Sequence, residues 1–411
     1  MPDNGAGTFT VLNPPFTPNT VISSSETNGN NSDFATGLTN RLTKDGDTDP
    51  TANLPMAGFK HTGVTAASGT NAGEYVARDL YNSLRFRPNY ILNASGEVNQ
   101  RGTTSTADDA YGGPDRWYTL VQTGAISVSQ GTNGEDGTPF YERLTQSQAS
   151  AQRMGRAQII ESANCRELRG EAVVLSARVR LSSTANLRYA ILEWTGTADA
   201  VTSDVVNDWT SSTYTVGNFF VSTTTTVVGV GVVSLTANTW ADISILTGTI
   251  SSSMNNLIVF FWTEGTAAQN VTLDLAQRKL AQGAVATPYY APNITTEELA
   301  CMRYYEKTFS RATAPAQNAG QEGCLFSPAV GTDNADLSFM WRFKVEKRST
   351  STYTTFNPSA SNASARNVTA GSDLAVTAYY NAATGAVVYI ASAAPTSGSQ
   401  YVLHMTASSE L

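Results

Sequence analysis

Leu175, Ala177, Val179 and Leu181 alternate with Ser176, Arg178 and Arg180. That period of two suits a strand with one dry and one wet face. Val271 to Leu275 alternates in the same way. Val227 to Leu235 and Leu257 to Trp262 are continuous apolar runs, which predict central strands covered on both faces. Turn clusters at 182–186 and 265–266 separate these segments at the spacing of an antiparallel sandwich or jelly roll. Charged residues make up 15% of the chain, well below the roughly 25% of an ordinary soluble domain. Ser, Thr, Asn and Gly take their place, so long Glu- and Lys-rich helices are not expected.

The expected fold class is all-β: an antiparallel β-sandwich or jelly-roll body and a C-terminal β domain, preceded by a short extended or helical attachment region. Residues 1–45 read as an arm with one short helix, in which Phe34, Leu38 and Leu42 form a narrow apolar stripe. Such a stripe cannot build a domain, so it predicts self-association or docking. A connecting region at 46–102 holds a second helical stretch, Glu74 to Leu84, closed by Pro88. The sandwich is placed at 103–292. A helical hinge at 293–309 follows, capped by Thr295 with Glu298 at its third position, and a β tip at 310–411 ends the chain. At 411 residues, more than one core is the prior.

Lys and Arg number 26 against 34 Asp and Glu, a net charge of -8, which disfavours nucleic acid and anionic membranes as partners. Met1-Pro2-Asp3-Asn4 lacks a basic and an apolar signal region, and no window reaches the roughly 20 apolar residues of a membrane span. Cys165, Cys301 and Cys324 are read as free thiols. Asp45, Asp47 and Asp49 open like a calcium loop, but Pro50 and Met56 stand where Gly and Glu are required, so neither a metal nor a cofactor is expected. His61 and His404 are the two histidines, too few for a multi-histidine zinc site within one chain or for a recognisable triad. Carboxylate pairs for glycoside cleavage can be named, Glu135 with Asp136, Asp204 with Asp208 and Glu193 with Glu264, but sequence does not place them.

Aromatics in polar context carry more information. Sugars present C–H faces to rings and hydroxyls to amides and carboxylates, and Asn207, Asp208, Trp209 and Tyr214 gather those groups in a turn-like stretch. Trp209 serves equally well as a cap on the sandwich end. Trp117, Trp194, Trp262 and Trp341 read as core, and Trp240 as either. Arg153, Arg156, Arg166 and Arg169 read as a solvated strand face, with anionic glycans as the alternative role.

The string Leu42-Thr43-Lys44-Asp45-Gly46, with Thr51 to Gly63, resembles the segment near the N-terminus of phage tail fibres and tailspikes. Asn89 to Gly102, Tyr111 to Trp117, Leu273 to Gly283 and Glu297 to Tyr305 resemble the opening and closing strings of a β-sandwich module of phage tail proteins. The resemblance spans roughly 33–309 and loosens beyond. It implies a homotrimeric receptor-binding component of a virion tail, synthesised in the host cytoplasm. Such a protein would bind other tail proteins through its N-terminus and surface polysaccharide or lipopolysaccharide through its β domains. Two further readings stand beside it: a tailspike that depolymerises glycans, and an architectural adaptor without receptor contact.

Overall fold

The computed structural model describes residues 21, 23–25, 27–29, 31–32, 88–132, 139–222, 224–243, 246–333, 337–390 and 394–411. The chain divides into two units, 1–80 and 81–411. In the first, the described residues between 24 and 32 are helical, and the Thr27 amide donates to the Ser23 carbonyl, ahead of the stripe on which the sequence reading places the arm's one short helix. Phe34, Leu38, Leu42, the acidic turn at 45–49, His61 and the stretch 74–84 lie outside the described residues.

The second unit holds two β bodies. In the larger, β1 (Thr104–Thr106), β3 (Ile126–Thr132), β4 (Phe140–Thr145), β12 (Thr272–Gln282), β6 (Ala172–Leu181) and β10 (Leu246–Thr249) form one sheet in that spatial order, with β9 (Ala241–Asp242) also on β6. The facing sheet runs β2 (Tyr118–Val121), β5 (Met154–Ile160), β11 (Asn256–Thr263), β7 (Ala185–Trp194), β8 (Thr225–Leu235). All pairings in both sheets are antiparallel.

The alternation at 175–181 sends Leu175, Ala177, Val179 and Leu181 into the core between the sheets, while Arg180 turns outward to Asp274. β11 is buried on both faces, as its apolar run predicts: Leu257, Val259 and Phe261 join that core, and Ile258, Phe260 and Trp262 join a second cluster on the far side of the sheet. The run at 227–235 is not central. It forms the edge strand β8, paired only with β7, and Val232 is exposed.

Residues 89–102, assigned to a connecting region by the sequence reading, pack inside the sandwich. Ile91 and Ala94 belong to its core, and the Tyr90 amide donates to Leu280 O at 3.0 Å. A fully buried charge cluster joins this segment to both sheets: Glu142 on β4 takes Arg156 of β5 on one oxygen and Arg278 of β12 on the other, both at 2.5 Å. Arg278 also donates to Ala94 O and lies 3.6 Å from the Trp117 ring centroid. Arg156 is therefore not on a solvated face.

Helix α1 (Ser162–Cys165) is one turn, and α2 (Ile294–Met302) is capped by Asn293, whose side chain accepts from the Thr295 amide, so Thr295 is not the cap. α2 and the residues after it are held on both sides rather than free as a hinge. Glu297 accepts from the Asn93 amide, Arg303 and Tyr304 both reach Glu161, and β13 (Tyr305–Lys307) pairs with β21 (Gln400–Ser408) of the C-terminal body. From the other direction, Glu410 pairs with Arg101 and Arg116 of the sandwich.

β21 is the spine of the C-terminal body, pairing with β13, β14 (Leu325–Pro328), β16 (Thr352–Phe356) and β17 (Ala365–Asn367), which carries β18 (Asp373–Leu374). A separate sheet orders β15 (Ser338–Arg342), β20 (Gly385–Ile390) and β19 (Val376–Ala382). His404 is buried, stacked on Phe309 at 3.8 Å, with Nδ1 on Thr308 and Nε2 on Gly320 O.

Candidate functional site

The outer face of the sheet holding β11 presents Tyr118, Leu120, Ile159, Leu192, Phe260 and Trp262, too apolar to face water. The connection from β7 to β8 folds over it and inserts Val205, Val206, Phe219 and Phe220. All four residues singled out for sugar contact lie on this cap, but their groups are engaged within the protein. Trp209 is half-buried and packs edge-on against Phe219 at 5.8 Å and Phe260 at 6.1 Å. Tyr214 lies 5.1 Å from Phe219 and 5.9 Å from Trp262, with the Arg188 guanidinium 3.8 Å over its ring and its hydroxyl on Glu264. Asp208 accepts from the Thr210 hydroxyl and amide, which hold its carboxyl below the usual carboxylate range. Asn207 donates to Asn218 O at 2.9 Å.

The carboxylate pairs fare differently. Glu193 stands opposite Leu257 and Glu264 follows Thr263, which stands opposite Leu187, so the two acids lie at opposite ends of β11. Seven residues of strand rise, roughly 23 Å, exceed the 5–9.5 Å span of paired glycosidase carboxylates. Glu193 is also buried, accepting from the Ser251 amide. Asp204 gathers with Asp108 and Asp109, and Asp208 is not in that group. Glu135 and Asp136 lie outside the described residues.

Trp117, Trp194, Trp262 and Trp341 are core residues, as read. Trp240 sits half-buried outside the larger sheet, under Arg180 at 4.6 Å and edge-on to Tyr141. Among the remaining arginines, Arg153 donates to Glu264 O and Arg169 to Met254 O and Asn255, whereas Arg166 is exposed.

The sequence reading missed a groove on the C-terminal body. In β15, Phe339 and Trp341 point into the core, and Met340 and Arg342 are exposed. Across the sheet, Met340 stands opposite Val387, which stands opposite Tyr380. Tyr380 is 66% exposed and meets Tyr389 edge-on at 6.2 Å. A groove of about 390 Å³ opens here, lined by Met340, Trp341, Arg342, Tyr380, Asn381 and Thr384 among others. It offers the exposed Tyr380 ring, one guanidinium, one amide and the hydroxyls of Tyr380 and Thr384, the chemistry a sugar's C–H face and hydroxyls match. The alternation Phe339-Met340-Trp341-Arg342-Phe343 was its one legible signal.

No protein-family model matches the chain, and no curated protein matches it. Solved structures do. A family 61 carbohydrate-binding module in complex with β-1,4-galactotriose is 8% identical with a TM-score of 0.29, and the match covers 48% of this chain and 99% of that one. The xylan-binding CBM22-1 domain of Paenibacillus barcinonensis Xyn10C is 13% identical with a TM-score of 0.28, covering 49% and 99%. The enzymatically active domain of bacteriophage CBA120 tailspike protein 4 is 12% identical with a TM-score of 0.29, covering 47% of this chain and 21% of that one.

Proposed function

We propose that this chain is a non-catalytic, glycan-contacting component of a phage tail fibre. It docks on tail proteins and trimerises through its N-terminal region, and meets host-surface polysaccharide through its β domains. The observation that carries the glycan reading is the C-terminal groove, where Tyr380 is exposed beside Arg342, Asn381 and Thr384. A ring this exposed adds little to folding, and its polar neighbours are set to take sugar hydroxyls. The cap bearing Asn207, Asp208, Trp209 and Tyr214 is the second proposed contact. Its exposed Asn207 and Asp208 would serve a sugar, and its rings would set their position. Three copies engaging one surface multiply weak contacts by avidity. The attachment and trimer parts of the proposal rest on the N-terminal resemblance and on Phe34, Leu38 and Leu42.

The test is competition for host-cell adsorption. The intact protein should block adsorption, Tyr380→Ala should block it poorly with unchanged melting, and equal blocking by the variant would remove the groove from the account. Light scattering should give a trimer mass, and a stable monomer at micromolar concentration would overturn self-association.

A further inference from the structure

Between the sandwich and the C-terminal body lies a second groove, of about 430 Å³, a volume in the range of small-molecule sites. One wall is the segment Glu97 to Gly102 with Gln130 and Phe140 of the β3–β4 hairpin, and the other is Glu298 of α2 with 311–314 of the C-terminal body. The walls are tied to one another. Lys307 is buried, and its ammonium donates to Gln100 O at 2.8 Å on one side and to Arg311 O and Thr313 O at 3.2 and 2.7 Å on the other. Gly102 approaches Ala314 so closely that a Cβ on it would lie 2.7 Å from that residue's own. The groove is therefore preformed, and a ligand entering it has little ordering to offset.

Two of its side chains have hydrogen-bonding capacity that the fold leaves unused. Asn99 Oδ1 is shielded from solvent and takes no donor, which is uncommon in a folded protein. Gln130 spends its Nε2 on Gly96 O and Glu97 O, at 2.6 and 3.1 Å, which fixes the amide and leaves Oε1 as an acceptor without a donor among the described residues. Both oxygens ask for a donor. A hydroxyl supplies one, whereas a carboxylate, sulfate or phosphate only accepts. The lining also has two carboxylates, Glu97 and Glu298, to one guanidinium, Arg311, which turns anions away for a second reason. The half-buried Phe140 ring adds an apolar surface beside these acceptors.

We propose that this junction groove binds a neutral, hydroxyl-rich sugar residue, whose hydroxyls donate to Asn99 and Gln130 and whose C–H face lies on Phe140. It rests on the reading of the β domains as glycan-contacting, and adds to it a class of sugar and a place separate from Tyr380.

The test is an array of neutral, amine-bearing and uronate-bearing oligosaccharides, probed with the full-length protein, with Tyr380→Ala, and with Tyr380→Ala carrying either Asn99→Leu or Ala312→Trp. Asn99→Leu removes a carbonyl that pairs with nothing, and Ala312→Trp fills the groove from an exposed position, so neither should lower the melting temperature. Tyr380→Ala should keep measurable binding to neutral oligosaccharides. Adding Asn99→Leu should weaken it about fivefold, the loss of one neutral hydrogen bond, and adding Ala312→Trp should abolish it. Loss of neutral-sugar binding on Tyr380→Ala alone, or undiminished binding after Asn99→Leu and Ala312→Trp, would overturn this site and leave the glycan reading standing. Binding by Tyr380→Ala confined to amine- or uronate-bearing sugars would overturn the neutral assignment. No binding to any oligosaccharide by the wild type would overturn both.

Discussion

Replacing Glu142 by Gln removes one charge from a site where three side chains are fully buried. The carboxylate is the shared partner of Arg156 and Arg278, and burial pulls both guanidinium pKa values down while Glu142 pushes them back up. An amide of the same shape leaves two buried cations without an anion. Breaking such a pair costs about 3–5 kcal/mol, far more than the net value of the intact cluster. For a domain of 150–250 residues each kcal/mol moves Tm by about 2–4 °C, so the variant should melt roughly 6–20 °C lower. The triple variant Glu142→Leu, Arg156→Met, Arg278→Met should lose less than the single one, because it strands no charge. It still takes the Arg156 donor from Gly112 O, while Ala94 O loses the Arg278 side chain and keeps the backbone amide of residue 278. Calorimetry reads both. A Glu142→Gln midpoint within 2 °C of wild type, or a triple variant worse than the single, would refute the reasoning.

Two further outcomes follow from packing and titration. Trp209→Ala should destabilise by about 1–3 kcal/mol, less than the 3–5 of a fully buried ring, because Trp209 is only half-buried against Phe219 and Phe260; urea unfolding measures it. Burial holds the His404 imidazole below its ordinary 6.5, so its contribution to stability is present above pH 6.5 and is lost as pH falls through the lower folded value. The slope is limited to about 1.4 kcal/mol per pH unit for one proton, and His404→Gln should flatten melting against pH in that window.

How much of this was legible in the sequence depended on whether the signal was local. The alternation at 175–181 read correctly because one strand's own residues carry it. Leu257 to Trp262 and Val227 to Leu235 look alike as strings, yet only the first is central. The difference is pairing, since β11 has neighbours on both sides and β8 has one. Gly231 hints at this, because the space a Cβ would occupy there is filled by the Tyr189 ring. Arg156 carried a signal that was passed over: a lone arginine between Met154-Gly155 and Ala157-Gln158-Ile159-Ile160 has dry neighbours and needs a buried acid. The groove at Tyr380 depends on β19 and β15 flanking β20, and Asp204 meets Asp108 and Asp109 only through the path of the cap. Of these two non-local meetings the sequence marks only the first, and only through the alternation at 339–343.

The most direct measurement is binding of the intact protein to immobilised, purified host-surface polysaccharide, by interferometry, for wild type and for Tyr380→Ala with Arg342→Ala. Losing one ring contact is worth about 1 kcal/mol, about fivefold per site, and on the order of a hundredfold when three copies engage together. The account predicts that loss with melting unchanged, as both side chains are exposed. Undiminished binding by the double variant would contradict it.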